Sequence, residues 1–365
     1  MIGKTLNRYI AMRVAKGIAL AFLVVTGIIM LVDFVESSRN LDSDSQISAL
    51  NLLYLTLLKS PKLIEQTIPF IVLFGVMGAL YAMNRRSELI VMRAAGLPAW
   101  KFLRPALWVT GLLGVLWAVA LNPLATQLTD KHDGLQQQWG NSAPLDNTNQ
   151  VWLRDGNETQ QTVIFAKTLK ITEKTLSSVT FYILSIKPDG TTEFERRFDA
   201  KSATLLKQGY WQLNNTTENA PSEITQKHTT ISLPTGITFD DLTKQASQIA
   251  NPSFWRIPAT IAANKSAGFS TRQLRMQFNK LLALPVTLIA MTFIAASVSM
   301  QLAREGGSLR LLITGSAVGF GVYFADSVIS AFGEVGILPV LLASWTTPLL
   351  ILFIGTSYLA RIEDG

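Results

Sequence analysis

Cysteine is absent from the 365-residue sequence, and its absence excludes a disulfide framework, a catalytic thiol and a thiolate metal site. Histidine is scarce: His132 and His228 lie far apart in polar sequence, where isolated histidines are more often surface residues than metal ligands. Charged residues make up only 16% of the chain, against about 25% in soluble proteins. The composition therefore leaves little material for thiol or histidine chemistry and is not that of an ordinary soluble protein.

Motifs for nucleotide binding and for hydrolysis are also missing. The phosphate loop G-x-x-x-x-G-K-[ST] does not occur, and "MIGKT" at the start of the sequence has the lysine without the glycine-rich loop before it. The zinc motif H-E-x-x-H and a nucleophile elbow are absent, and no paired carboxylates stand beside a plausible base. These absences predict a chain that is not an enzyme and that holds no cofactor or metal of its own.

Long apolar segments dominate what is present. A helix needs about 20 residues to cross a bilayer core of about 30 Å, and six apolar segments are close to that length or exceed it. They are 16–32, 68–83 (extending back to Lys62), 105–125, 280–300, 311–332 and 336–360. No convincing small-residue cleavage site follows the first segment, which indicates a retained helix and not a signal peptide. The sequence predicts an α-helical transmembrane bundle of six helices, arranged three and three around a long polar insert.

Lysine and arginine are unevenly distributed among the loops, and short loops rich in them are expected on the cytoplasmic side. The N-terminus, the stretch 84–104 and the loop 301–310 carry a basic excess, whereas 33–62 has more acids than bases and 333–337 has no basic residue. Both termini and the stretch 84–104 are therefore predicted to be cytoplasmic. The polar insert, roughly 130–270, is predicted on the opposite side.

The insert has the pattern of an all-β domain. Short β-branched and aromatic runs separated by Gly, Pro and Asn predict strands in a sandwich or barrel. The runs are 151–156, 162–169, 179–186, 202–206, 210–213 and 228–234. Apolar residues occupy both alternating positions in "FYILSI", so the interior could be an ordinary core, which we favour, or a groove for a lipid. The predicted domains are 1–129 (helices one to three, with a short cytoplasmic helix near 86–97), 130–250 (β domain), 251–272 (helical linker) and 273–365 (helices four to six).

Basic residues also stand on the outer side, where the distribution rule disfavours them. Lys59 and Lys62 precede the second span, and Arg272, Arg275 and Lys280 precede the fourth, with Arg272 and Arg275 on one helix face. Arginine forks and lysine point charges suit phosphate-bearing head groups of lipids. The alternative is that these side chains only snorkel to the membrane surface. Both interpretations stay open on the sequence alone.

Two acids fall at membrane depth, where ionisable side chains are costly and face a cavity or a partner charge. Glu65 lies one turn beyond Lys62, and Asp326 interrupts the fifth span. They could form a polar patch in a substrate cavity, or structural ion pairs with Lys62 or Arg275. We favour an ion pair for Asp326.

The stretch "NRRSELIVMRAAGLPAW" (84–100) is too short to span a membrane and too apolar for an ordinary loop. Ser87 is predicted to cap a short helix, Glu88 suits its first turn, and Gly96 with Pro98 ends it after about eight residues. The small residues Ala94, Ala95 and Gly96 permit close approach of another protein. Alternatively, the helix rests on lipid head groups, anchored by Arg85 and Arg86.

Several of these segments resemble the LptF/LptG family, the permeases of the lipopolysaccharide export system. The resemblance covers nearly the whole chain. It is strong in "SPKLIEQTIPFIVLFGVMGAL" (60–80), in "RSELIVMRAAG" and in the closing run "YFADSVISAFGEVGILPVLLASWTTPLL", and loose in the β domain. Segment 60–80, the closing run and the strand "VWLRDGN" are more similar to the LptG branch than to the LptF branch.

The resemblance implies one permease subunit of an ABC transporter in the inner membrane of a Gram-negative bacterium. Such a subunit pairs with an LptF-type permease on an LptB-type ATPase dimer, which binds the ATP and Mg. An LptC-type protein joins them, and lipopolysaccharide leaves the outer leaflet for a periplasmic bridge of LptA type. The insert would then be a periplasmic β-jellyroll, which favours an apolar groove within it.

Site residues also follow from the resemblance. The short helix would be the coupling helix that docks on the ATPase, with Glu88 matching the family's functional glutamate, and Lys62 matching a lysine at the outer end of span two. The set expected at the ATPase is Glu88, Arg85, Arg86, Arg93, Ala95 and Gly96. Met30 and Leu31 stand where family members can carry a basic residue. Other hypotheses are a carrier or tether that needs no ATPase and a membrane enzyme acting on lipid.

Overall fold

The computed structural model describes residues 2–39, 48–139, 151–156, 160–170, 175–186, 192–206, 209–221, 225–237, 252–266, 270–302 and 308–364. Contacts divide them into a helical unit, made by the residues up to 132 and those from 252 onward, and a β unit between. Each unit has its own hydrophobic core.

Within the described residues, six helical stretches are long and apolar enough to cross a membrane, three before the β unit and three after it. The described residues contain α1 (Ile2–Arg39), α2 (Ala49–Arg85), α3 (Glu88–Ala94), α4 (Ala99–Leu116), a π-helix (Trp117–Leu121), α5 (Asn122–Trp139), α6 (Ile257–Ser266), α7 (Arg272–Leu302), α8 (Ser308–Val335) and α9 (Val340–Asp364). The prediction of six spans arranged three and three is confirmed. Several helices run past the predicted apolar segments, because main-chain hydrogen bonds continue where hydropathy no longer marks the helix.

The core of the helical unit is built around α2 and α7. Of their most apolar stretches, 56% and 61% of the residues are buried, compared with 11% in α1 and 17% in α8. Large apolar side chains on α1, such as Leu20 and Leu23, are more than half exposed. Helices α1 and α8 therefore present most of their apolar surface outward, to lipid or to another protein.

Glycines allow two pairs of these helices to touch backbone to backbone. A Cβ atom on Gly17 of α1 would overlap the carbonyl oxygen of Gly75 on α2, and one on Gly75 would lie 2.5 Å from the Cα of Ile18. A Cβ on Gly114 of α4 would lie 2.5 Å from the Cα of Pro285 on α7. Lipid tails are as apolar as the helices, so the hydrophobic effect does not drive helix association in a membrane. Small residues at helix crossings stabilise the pair because they allow close van der Waals packing.

In the described part of the β unit, six strands form one antiparallel sheet in sequence order: β1 (Val151–Gly156), β2 (Gln160–Lys170), β3 (Thr175–Ile186), β4 (Thr192–Leu206), β5 (Tyr210–Asn219) and β6 (Gln226–Pro234). The prediction of an inserted all-β domain is confirmed. Among the described strands the order is a meander, without the crossovers that a two-sheet jellyroll requires. Alternating hydrophobicity predicts strands but leaves their order open, since a meander and a jellyroll share the same period of two.

One face of this sheet is packed with its own side chains. Leu153, Ile164, Phe181 and Phe198 are direct cross-strand neighbours on four successive strands, and all are buried. Trp211 on β5 is also buried and meets Phe181 edge-on, with ring centroids 6.1 Å apart. Cross-strand aromatic and aliphatic pairs of this kind stabilise a sheet. In the described part of the β unit, the interior resembles an ordinary core.

The sheet curls enough for its two edges to meet. The carboxylate of Asp155 on β1 accepts hydrogen bonds from the hydroxyl of Thr235 and, at 2.8 Å, from the main-chain N–H of Gly236, just after β6. Ile237 then enters the same core. This side-chain bridge joins the two edges at one point, while the described strands β1 and β6 are not paired along their main chains.

The Gly17–Gly75 contact can be tested by enlarging one glycine. We expect Gly17→Leu to force α1 away from α2 and to lower the stability of the purified protein, since overpacking costs about 1–3 kcal/mol. Thermal unfolding in detergent measures the effect. Gly27→Leu on the same helix is the matched control, because a Cβ there meets nothing within 4 Å. Equal unfolding temperatures for the two variants would contradict the close contact.

Candidate functional site

The short helix α3 lies in the loop predicted to be cytoplasmic, and its seven residues, Glu88–Ala94, agree with the predicted length. Gly96 ends it with a φ of 76°, and the N–H of Leu97 donates to the carbonyl of Met92 at 3.1 Å. The predicted cap by Ser87 is wrong in its mechanism. Ser87 holds the N-cap position, but its φ of 62° belongs to a left-handed turn after α2, and its side chain makes no cap hydrogen bond.

Helix α3 has one buried and one exposed apolar face. Leu89 and Met92 pack into the core of the helical unit, whereas Ile90 and Val91 are 59% and 64% exposed. Residues 94–96 and the arginines Arg85 and Arg86 are also exposed, and Arg93 is half-buried. We call Ile90, Val91, Ala94, Ala95 and Gly96 the α3 surface. It offers adjacent apolar side chains and little steric bulk to an approaching protein.

Glu88 does not extend freely from α3. The phenol of Tyr9 on α1 donates a hydrogen bond to its Oε2 at 2.9 Å, and Nη2 of Arg13 lies 4.0 Å from its Oε1. Arg13 in turn donates through Nε to the Tyr9 oxygen at 3.0 Å, with its guanidinium 5.3 Å from the centre of the ring. These three side chains form a latch between α1 and α3. Sequence reasoning missed Tyr9, although its spacing of four from Arg13 places both on one helix face.

The three predicted outer lysines are all paired with carboxylates. Nζ of Lys59 lies 2.7 Å from Oδ1 of the buried Asp33 on α1, and Nζ of Lys62 lies 3.2 Å from Oε1 of Glu65. These pairs make a polar cluster between α1 and α2.

Asp326 is paired as predicted, but with a different residue. Its partner is Lys280 on α7, at 3.3 Å, and not Lys62 or Arg275. Helical spacing within one span gives no information about which neighbouring helix faces it, so the sequence could predict an ion pair for Asp326 but not its partner.

Asn122 extends the Lys62–Glu65 pair toward the segment that returns from the β unit. Its side chain is fully buried; its Nδ2 donates to Oε2 of Glu65 at 2.8 Å, and its Oδ1 accepts the main-chain N–H of Phe254 at 2.9 Å. A buried amide with both ends satisfied holds α2, α5 and the returning segment in one arrangement.

The π-helix beside Asn122 has a chemical cause. Pro123 has no N–H, so the carbonyl of Val119, four residues earlier, loses its normal helical donor. The indole N–H of Trp255 donates to that carbonyl at 3.0 Å. Phe254 stacks on Phe278 of α7, with ring centroids 5.4 Å apart. The proline in "NPLA" was the available signal for this docking point, which sequence reasoning did not use.

Arg272 and Arg275 lie in a different environment from the lysines. They line a groove of about 790 Å³ between the start of α7 and the turn that joins α8 to α9. None of the three lysines lines this groove. Both arginines are exposed, and neither guanidinium has a hydrogen-bond or ion-pair partner in the part of the chain that the structure describes.

Comparisons with known proteins agree with this architecture. The family model for the lipopolysaccharide export system permease LptF/LptG matches residues 8–361. The chain is also 23% identical, over 368 residues, to the lipopolysaccharide export system permease protein LptG of Haemophilus influenzae, with 99% of each protein covered. The match includes all six membrane-spanning helices and the β unit inserted between the third and the fourth. The chain therefore belongs to the LptF/LptG family of lipopolysaccharide export permeases.

Proposed function

We propose that this multi-pass inner-membrane permease extracts lipopolysaccharide from the outer leaflet and passes it to a periplasmic bridge, using ATP hydrolysed by a separate subunit. The observation that carries the proposal is the α3 surface, which presents exposed Ile90 and Val91 on the side rich in lysine and arginine. The sequence has no phosphate loop, so the proposal places ATP hydrolysis on another protein that contacts this surface.

The proposed partners are an LptB-type ATPase dimer at the α3 surface, an LptF-type permease, an LptC-type membrane-anchored protein and an LptA-type bridge. The role of the LptG-type subunit is favoured over that of its paralogue LptF by the relative from Haemophilus influenzae. Both termini then face the cytoplasm and the β unit faces the periplasm, as the loop charges predict.

Force from the ATPase would reach the spans through the latch. Glu88 begins α3, and its bonds to Tyr9 and Arg13 tie that helix to the cytoplasmic end of α1. Helix α1 also packs closely on α2 at Gly17 and Gly75, so the latch adds a second connection between α3 and α1. Motion of α3 would therefore be transmitted to α1 directly and not only along α2 and α4.

The head group of the lipid would be met by the outer lysines. Each lysine has a carboxylate partner at 2.7–3.3 Å, so a phosphate has to replace that partner in order to bind. Binding of the phosphate leaves that carboxylate without its cation, and the cost of this uncompensated charge favours return of the lysine to its partner and release of the lipid. Such exchange suits a transporter, which has to bind its cargo and let it go.

The latch and the α3 surface make separable contributions. We expect Ile90→Asp to abolish co-purification of the ATPase, because it places a charge in the apolar contact. Tyr9→Phe should leave co-purification intact and lower lipid export per ATP hydrolysed severalfold, since it keeps the ring but removes the oxygen that bonds both Glu88 and Arg13. Glu88→Ala should lower export at least as much as Tyr9→Phe while membrane insertion stays normal.

Purification from native membranes and export per ATP in reconstituted vesicles measure these effects. Tyr210→Phe, at an exposed site in the β unit, is the matched control. Normal coupling in both Tyr9→Phe and Glu88→Ala would show that the latch has no role. Recovery of an active wild-type chain without any ATPase would favour the carrier hypothesis instead.

A charge swap distinguishes lipid binding from a purely structural ion pair at Lys62. Lys62→Glu should reduce photocrosslinking to lipopolysaccharide, because two carboxylates then face each other and repel phosphate. The double variant Lys62→Glu with Glu65→Lys restores an ion pair with its charges reversed. We expect it to recover the yield of folded protein in part, because Glu65→Lys also removes the acceptor of the Asn122 amide, and not to recover the crosslinking. Lys227→Glu on the β unit is the control. Full recovery of crosslinking would assign Lys62 to structure alone.

A further inference from the structure

The groove that contains Arg272 and Arg275 has the features of a binding site for an anion. It is lined by residues at the start of α7, by the turn 336–339 and by the start of α9. Its volume of about 790 Å³ falls within the range of small-ligand pockets, about 300–1,000 Å³. Two long helices begin at the groove, and the first-turn N–H groups of a helix lack internal partners and favour negative charge.

Uncompensated charge is the second feature. Lys59, Lys62 and Lys280 each have a carboxylate partner, whereas the two arginines have none among the described residues. The residues that line the groove include no acid. Two guanidinium groups one helical turn apart, with no counter-charge in their own groove, attract an anion from outside the chain.

The absence of a side chain at Gly336 leaves room for the Arg272 guanidinium at the wall of the groove. The Gly336 φ of 97° belongs to the region that favours glycine, and a Cβ there would overlap Nη1 of Arg272. Asn279 lies one turn beyond Arg275 on the same face of α7 and also lines the groove. Guanidinium forks are the side chains best suited to bind phosphate through two oxygens at once.

The wall on the α9 side is apolar. Ile337 and Leu341 line the groove and are 68% and 63% exposed, and Leu338, Pro339 and Val340 stand between them. The groove thus combines a cationic part with an apolar part at the outer ends of membrane-spanning helices. A molecule that matches both parts is an amphiphile with a phosphate head and an acyl chain.

We propose that this groove binds an anionic glycerophospholipid of the surrounding membrane as a resident lipid, distinct from the transported cargo. The phosphate lies between Arg272 and Arg275, and the upper part of an acyl chain lies along Ile337 and Leu341. The groove has room for one phosphodiester head group and the upper part of one acyl chain, and its two guanidinium groups suit a single phosphate. Among the described residues the arginines have no partner to take the place of the lipid, so release is not favoured as it is at the paired lysines. The proposal depends on the membrane location of the chain and not on the identity of its cargo.

Lipid retention by the purified chain tests the proposal. The chain is incorporated into nanodiscs of phosphatidylcholine with a small fraction of phosphatidylglycerol, without ATPase or lipopolysaccharide, and retained lipid is counted by native mass spectrometry. We expect one tightly held phosphatidylglycerol in the wild type. Arg272→Gln with Arg275→Gln should retain it at least about tenfold more weakly, given the strength of charge-assisted hydrogen bonds. Arg256→Gln, an exposed arginine outside the groove, is the matched control.

Gly336→Ala provides a second variant that keeps every charge. It should weaken retention by displacing the Arg272 guanidinium, and circular dichroism checks that both groove variants are folded.

Equal phosphatidylglycerol retention by the wild type and the double arginine variant would overturn the proposal. Displacement by inorganic phosphate alone would contradict the acyl-chain contact. Stoichiometric replacement by lipopolysaccharide would assign the groove to cargo instead. Retained lipid is counted without measuring export, so the result does not depend on the proposed transport function.

Discussion

A bilayer interior supplies no water to satisfy polar groups, and most features of the helical unit follow from that constraint. Where Pro123 removes a helical donor, the indole of Trp255 replaces it at the carbonyl of Val119. Where Glu65 enters the span, Lys62 and Asn122 occupy its two oxygens. Where helices cross without hydrophobic drive, glycines let the backbones touch. The polar groups at the outer end of the bundle are therefore shaped first by the cost of leaving them unsatisfied.

The cost of an unsatisfied charge also distinguishes two kinds of cation in this protein, those with and those without a carboxylate partner in the described structure. The lysines near the outer ends of α2 and α7 have carboxylate partners, and a phosphate ligand there competes with an internal group. The arginines at the start of α7 have no internal competitor in the described structure. A paired cation favours turnover and an unpaired one favours retention, so the same head-group chemistry can serve cargo at one place and a resident lipid at another.

The number of spans and the end of α3 were predictable because each depends on local sequence: about 20 apolar residues, or a glycine followed by a proline. Contacts between distant segments were not. Lys280 as the partner of Asp326, Tyr9 as the partner of Glu88 and the meander order of the strands depend on which elements become neighbours, which periodicity does not encode. The cap predicted at Ser87 is a local failure. The tight turn after α2 holds Ser87 in a left-handed conformation, whereas a side-chain cap usually requires an extended one.

The length of α2 gives this permease a mechanical property. From Arg85, beside α3, to Lys62 the helix rises about 35 Å at 1.5 Å per residue. A tilt of about 5° about the Arg85 end, carried through Pro69 without bending, displaces Lys62 by about 3 Å, the length of one hydrogen bond. Such a displacement is enough to exchange one oxygen partner of a lysine for another. In the proposed transport function α2 would serve as a lever whose small angular input matches the distance scale of ion-pair exchange at Lys62.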